Sequence, residues 1–211
     1  MLASQVKTQI QHIMKNTKLF FLAFALFVTS SFAAFAQLQQ PALSPAAHVS
    51  QNVGFTKISI DYSSPAVKGR KIFGEIEKYD VTWRAGANAQ TVIEFSTAVG
   101  VGGKNLRAGK YSIFMTPTAS GDWTVHLNSK AASVFSYMKD GKIDEEAVAK
   151  DDAVAFKATT ERGGNTERLQ YHISANDNKT AIITMAWEGV KVSFPVDTQV
   201  TQKMDQFKTQ F

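Results

Sequence analysis

The densest grouping of chemically capable side chains is Trp83-Arg84-Ala85-Gly86-Ala87-Asn88, which sets a large aromatic, a fixed cation, a glycine and an amide within six residues. Arginine offers five donors in a rigid planar fork that matches a carboxylate or a phosphate. Glycine takes positive φ without penalty, and asparagine tolerates the left-handed region better than most residues. The run therefore reads as a tight corner that aims Arg84 and Trp83. Lys68 and Arg70 lie on the preceding segment and bring two more cations toward it. Together, Trp83, Arg84, Asn88, Lys68 and Arg70 form a candidate ligand site for a small polar, anionic or carbohydrate molecule. A second arrangement fits the same residues. Arg84 pairs with Asp61 or Glu94 and Trp83 packs in the core, because buried arginines are almost always paired.

Other chemistries find less support. His126 and His172 fall out of phase with the apolar residues of their segments and, with Asp61 or Asp122, would supply the three protein ligands of an open zinc site. Their spacing matches no metal motif, so no metal and no cofactor is expected. His48 sits near the start of the exported portion and reads as solvent-exposed. The chain has no cysteine and no Gly-x-Ser-x-Gly, which removes two routes to a nucleophile. A hydrolase would depend on a carboxylate, with Asp61 as general base. Asp61 and Glu94 are also ordinary outward-facing strand carboxylates. The glycines of Gly100-Val101-Gly102-Gly103-Lys104 lack the lysine-serine/threonine ending of a phosphate-binding loop.

The elements that must position these residues are mostly strands, because period-two alternation dominates from Lys57 onward. Ile58, Ile60 and Tyr62 share one face against Lys57, Ser59 and Asp61, and Ser63-Ser64-Pro65 ends that strand. Residues 67–80 read as a long connection with a helical turn near Ile72-Phe73. Strands follow at Val92–Ser96, Lys110–Thr116 and Trp123–Asn128. Residues 129–152 lose the alternation, gain Asp144-Glu145-Glu146, and read as an irregular insertion with one short helix. Gly163-Gly164-Asn165 is a hairpin-turn signal, and Glu188-Gly189 joins two strands of a terminal hairpin. Val200, Met204, Phe207 and Phe211 are spaced for one face of a short C-terminal helix. Eight or nine short strands with almost no helix predict an all-β fold, an antiparallel β-sandwich or jelly-roll-like arrangement, with a barrel as the alternative.

The N-terminus carries a different signal. Met14-Lys15-Asn16-Thr17-Lys18 is basic, residues 19–28 are apolar throughout, and Ala34-Phe35-Ala36 has the small-x-small form of a secretory cleavage site. Residues 1–36 are therefore expected to be a cleaved signal peptide, with Met14 as an alternative start. Residues 37–50 read as a flexible leader, 51–197 as the β domain and 198–211 as the tail. Cleavage removes Lys7, Lys15 and Lys18 and no acids, so the net charge falls from +5 to +2, with 20 basic and 18 acidic residues left. The remaining cations are scattered among acids, which argues against a nucleic-acid surface. An exported location, periplasmic or secreted, without stable membrane insertion after cleavage is the expectation.

The order of motifs resembles a known family. Ser64-Pro65-Ala66-Val67-Lys68-Gly69-Arg70-Lys71-Ile72-Phe73-Gly74, Tyr79, Trp83–Asn88, Val101-Gly102-Gly103-Lys104, Ala108–Ser112 and Trp123–Asn128 occur in sequence. Together they resemble the exported bacterial proteins catalogued as domain of unknown function 2911, from about Val53 to Val196. The resemblance implies export and an all-β domain and implies no activity. The chain departs from the family after Asn128, where a Trp-Gly pair is common and Ser133-Val134-Phe135-Ser136-Tyr137 stands instead. Three functions follow as expectations: a binding module for a small ligand, a hydrolase of envelope or extracellular material, and a structural or partner-binding envelope protein.

Overall fold

Alternating apolar residues place Ile58 and Ile60 fully inside while Lys57 and Asp61 stay outside, and this pattern repeats across an antiparallel sheet. The computed structural model describes residues 40–209 and, before them, residues 7, 10, 12 and 14–17, which are helical. Residues 1–41 and 42–211 form separate units. The apolar run and cleavage motif of residues 19–36 lie outside the described residues, as does Phe211. Among the described residues, no helix is long and apolar enough to cross a membrane.

The second unit is all-β. Its strands are β1 (Ala46–Val53), β2 (Thr56–Ser63), β3 (Val92–Phe95), β4 (Val99–Val101), β5 (Lys104–Leu106), β6 (Gly109–Thr116), β7 (Trp123–Asn128), β8 (Met138–Lys139), β9 (Lys142–Ile143), β10 (Asp152–Ser174) and β11 (Thr180–Asp197). Nine of them form one antiparallel sheet in the order β1-β2-β3-β6-β7-β10-β11-β4-β5, and β8 and β9 make a separate small hairpin. The C-terminal helix is present as Val200–Lys208.

Three expectations are corrected. Residues 46–50 are not leader: they begin β1, which pairs with β2 from Ala46↔Ser63 to Val53↔Thr56. An edge strand held by ladder hydrogen bonds needs little apolar content, so its polar sequence hid it. Gly163-Gly164-Asn165 is not a hairpin turn, because β10 runs unbroken through it for 23 residues. Glu188-Gly189 is not a turn either, because β11 is one strand of 18 residues. The two glycine sites face each other across the β10–β11 ladder, where the register slips between Arg162 and Thr166, and again before Gln170. They are bulges, which insert unpaired residues and bend a strand without ending it.

Strand β10 is what joins the two parts of the sheet. Its first part, Asp152 to Ala158, pairs with β7, and from Thr159 onward it pairs with β11. The main core lies inside this bent sheet, centred on Phe73, Trp83, Trp123 and Trp187. The insertion after β7 builds a second, smaller core. There Val134 and Tyr137 of a short 3₁₀ turn and Val148 of the helix Glu145–Asp151 pack on Phe114 of β6. This covers the outer face of the sheet, so β7 is buried on both sides around His126.

Candidate functional site

The corner at residues 82–91 is tied down at several points. Trp83 makes a two-bond bridge to Met115 of β6, with N–H···O distances of 2.9 and 3.0 Å. The carbonyl of Ala85 accepts from Thr91 Oγ1 at 3.0 Å and from the buried Tyr171 hydroxyl at 2.9 Å. Burial pushes the Tyr171 phenol well above its ordinary range, so it stays a donor. Positive φ falls on Asn88 at 55°, as the sequence allowed, and on Ala85 at 50° in place of Gly86. Gly86 is required for space: a Cβ there would lie 2.5 Å from Thr91 Oγ1.

This corner sends Trp83 and Arg84 to the wall of a cavity of about 700 Å³. One side is the segment from Ile76 to Arg84. The other is the insertion, with Val134, Phe135, Met138, Lys142 and Glu145. Trp83 is largely core, stacked on Trp187 at 5.8 Å between ring centroids, and it also lines the cavity. The Arg84 guanidinium lies 4.9 Å from the ring centre of Phe135, within cation–π range.

Neither carboxylate expected to neutralise Arg84 does so. Glu94 pairs with Lys110 at 3.7 Å, and Asp61 with His48 at 2.7 Å on an exposed face of the β1–β2 hairpin. Three buried side-chain donors lack a hydrogen-bond partner among the described residues, and two of them, Trp83 Nε1 and Arg84 Nε, belong to cavity-wall residues. Glu77 shares the cavity. Burial pushes its carboxyl above the usual range, and the positive charge of Arg84 partly opposes that rise.

The remaining expected site residues go elsewhere. Arg70 folds back to donate to the carbonyls of Ala66 and Val67, at 2.6 and 3.0 Å, and so caps its own loop. The backbone N–H of Lys68 donates to Glu167, and the Asn88 amide donates to the Ser44 carbonyl. None of the three lines the cavity. The four groups considered for a metal do not assemble. His172 is exposed, His126 is buried against Asp152, and Asp122 accepts from the Thr160 backbone. Among the described residues no group of three or more His, Asp or Glu is placed to hold a metal ion.

Residues that spacing did not reveal complete the wall. Glu145 opens the insertion's helix and takes both the backbone N–H and the hydroxyl of Thr82, at 3.0 and 2.6 Å. Thr82 in turn meets Thr116 of β6, Thr116 meets His126 of β7, and His126 meets Asp152 of β10. The one signal available in the sequence was the Asp144-Glu145-Glu146 run after a glycine-lysine turn, which marks a helix start and nothing about a site.

No curated protein and no solved structure matches the chain. The family model described as "Protein of unknown function (DUF2911)" matches residues 44–196, from just before β1 to the end of β11. The chain belongs to that family.

Proposed function

We propose that the cavity between the Ile76–Arg84 segment and the insertion binds a small anionic ligand, with a carboxylate or phosphate group held by Arg84 and an apolar body against Trp83 and Phe135. The observation that carries this is the unpaired state of Arg84, whose buried Nε has no partner among the described residues while its side chain lines a cavity of about 700 Å³. An arginine kept for stability alone would be paired where its atoms are buried, since an orphaned buried donor costs about 1–3 kcal/mol. A concave, largely apolar pocket with a few convergent polar groups is the usual form of a small-molecule site. Asp61 does not line this cavity, so the hydrolase with Asp61 as base draws no support from it. Binding of a ligand outside the cytoplasm is the setting that the N-terminal pattern of this chain favours.

The test is a thermal-shift series on the full chain with inorganic phosphate, citrate and neutral glucose at constant ionic strength. Wild type, Arg84→Ala and Arg84→Lys are compared. Saturation at a hundred times Kd stabilises by about 2.7 kcal/mol, a shift of roughly 5–10 °C for a domain of this size. Such a shift with one of the anions, lost in Arg84→Ala and reduced in Arg84→Lys, is expected. Lysine supplies the charge without the fork. Equal shifts in all three proteins, or none in wild type, would reject the reading.

A further inference from the structure

The polar groups behind the cavity wall form an unbroken line. Glu145 Oε2 is 2.6 Å from Thr82 Oγ1, which is 2.6 Å from Thr116 Oγ1. Thr116 Oγ1 is 3.0 Å from His126 Nε2, and His126 Nδ1 is 2.7 Å from Asp152 Oδ2. The far end is deep, with the His126 and Asp152 side chains 11% and 4% exposed. The near end, Glu145, faces the cavity that Arg84 lines.

Counting protons along this line gives a definite result. Each of its four contacts needs one proton between its two heavy atoms. Two hydroxyls and a neutral imidazole supply three, because an ionised carboxylate only accepts. With His126 neutral and Glu145 ionised, Nδ1–H serves Asp152, the Thr116 hydroxyl serves His126 and the Thr82 hydroxyl serves Glu145. The 2.6 Å contact between the two threonines is then left with facing lone pairs. One more proton removes the conflict, and with Asp152 kept ionised it has two places to sit. In the first state His126 carries both ring protons, and every donor points from His126 through Thr116 and Thr82 to ionised Glu145. In the second, Glu145 carries the proton on Oε2, every donor points the other way, and His126 accepts at Nε2. Moving each of three protons across its own contact, from one heavy atom to the other, interconverts them, and the net change is one proton passed from His126 to Glu145.

We propose that Glu145, Thr82, Thr116, His126 and Asp152 form a proton relay, which lets the cavity wall take up or release a proton held in the interior. Asp152 Oδ1 accepts from Asn128 Nδ2 at 3.3 Å, and Oδ2 faces His126 Nδ1 at 2.7 Å. The other titratable groups nearby are Tyr137 and Asp151, hydrogen-bonded to each other at 3.1 Å, with Lys130 on Asp151 at 3.9 Å. At the cavity end the charged neighbours are Glu77, Lys78, Asp80, Arg84 and Lys142. An anion seated at Arg84 repels an ionised Glu145, so it draws the proton to the cavity end and leaves His126 neutral. That coupling rests on the anion-binding reading above; the relay itself does not.

The experiment is therefore done first without ligand, on the full chain labelled at histidine ring nitrogens and glutamate side-chain carbons. In wild type the His126 Nε2 signal and the Glu145 carboxyl signal change over the same pH interval, as a pair sharing one proton must. In Glu145→Gln the amide oxygen takes the Thr82 backbone N–H, leaving the amide N–H₂ to donate to Thr82. The line is then locked pointing toward His126, and the population with both ring protons falls about tenfold or more at a given pH. Thr116→Val breaks the line with little change of shape, and in that background Glu145→Gln leaves the His126 spectrum unchanged. Separate pH intervals for the two wild-type signals overturn the relay. So does an effect of Glu145→Gln that survives in Thr116→Val, which would be a field effect and no relay. The wild-type titration stands if a variant fails to fold. A relay that passes with no phosphate or citrate response in the thermal-shift series refutes only the ligand reading.

Discussion

Glu77 and Arg84 share one cavity without forming an ion pair, and that separation has a measurable consequence. Burial raises the folded-state pKa of Glu77, and Arg84 offsets only part of the rise. Between its unfolded value, about 4.3, and its raised folded value, the folded chain holds a proton that the unfolded chain has lost. The stability this contributes is complete below the unfolded value and is lost as pH rises through the folded one. Glu77→Gln cannot titrate. Urea midpoints measured between about pH 4 and 7 should therefore fall with pH more steeply in wild type than in the variant. Parallel curves would mean the carboxyl is not held above its ordinary range. Removing this acid also leaves Arg84 with less competing negative charge, so anion shifts should grow in Glu77→Gln. At this scale the sequence was half legible. A cation and an aromatic beside a glycine drew attention to Trp83 and Arg84, and both residues line the cavity. Arg70 and Asn88 looked equally capable, yet their side chains donate to carbonyls of their own surroundings, and Lys68 does not line the cavity. Glu145, Thr116 and His126 come from separate segments that only strand pairing and the insertion bring together, and no spacing rule reports that.

Glycine carries different meanings in different elements, and this explains most of what was misread at the next scale. In β10 and β11, Gly164 and Gly189 come close across the ladder, with the carbonyl of Gly164 3.7 Å from where a Gly189 Cβ would stand. Both dipeptides satisfy the rules for a turn, but opposed in one ladder they bend a ribbon. The bend has a use: Glu188, at φ 52°, reaches across to accept from the backbone N–H of Ile72 at 2.9 Å, fixing the loop that leads to Glu77. At the corner, Gly86 is selected by volume. Its φ lies outside the positive region, and the obstacle to a side chain is Thr91 Oγ1 at 2.5 Å. Gly86→Ala should therefore cost about 1–3 kcal/mol by overpacking. The cost should shrink in a Thr91→Ala background, where the clashing atom is gone. Chemical denaturation of the two single variants and the double variant checks it. An additive double variant, with a coupling smaller than about 0.5 kcal/mol, would show that the corner is not crowded there.

For the molecule as a whole, β10 makes separate melting of the two parts of the sheet improbable. It hands over from β7 to β11 between Ala158 and Thr159, so unpairing either half exposes ladder groups of the same strand. The aromatic cluster spans the same junction. Phe73 stands 4.7 Å from Trp123 on β7 and 5.8 Å from Trp187 on β11, and Trp83, bridged to β6, stacks on Trp187 at 5.8 Å. All three tryptophans of the chain are in this cluster, so near-ultraviolet dichroism reports the core, while far-ultraviolet dichroism reports the ladders. Alternation and turn signals were enough to predict an all-β fold but not this continuity, because a bent strand and two short strands have the same local pattern. The continuity predicts one cooperative transition for residues 42–211. Midpoints in urea from near- and far-ultraviolet dichroism should coincide within error, with a single slope. If the tryptophan signal is lost at a lower urea concentration than the ladder signal, the sheet would unfold in two steps and β10 would not be its common spine. Coincident midpoints would also make stability a valid measure for every cavity variant above, because a change at Arg84 or Glu77 would then be read by the whole domain.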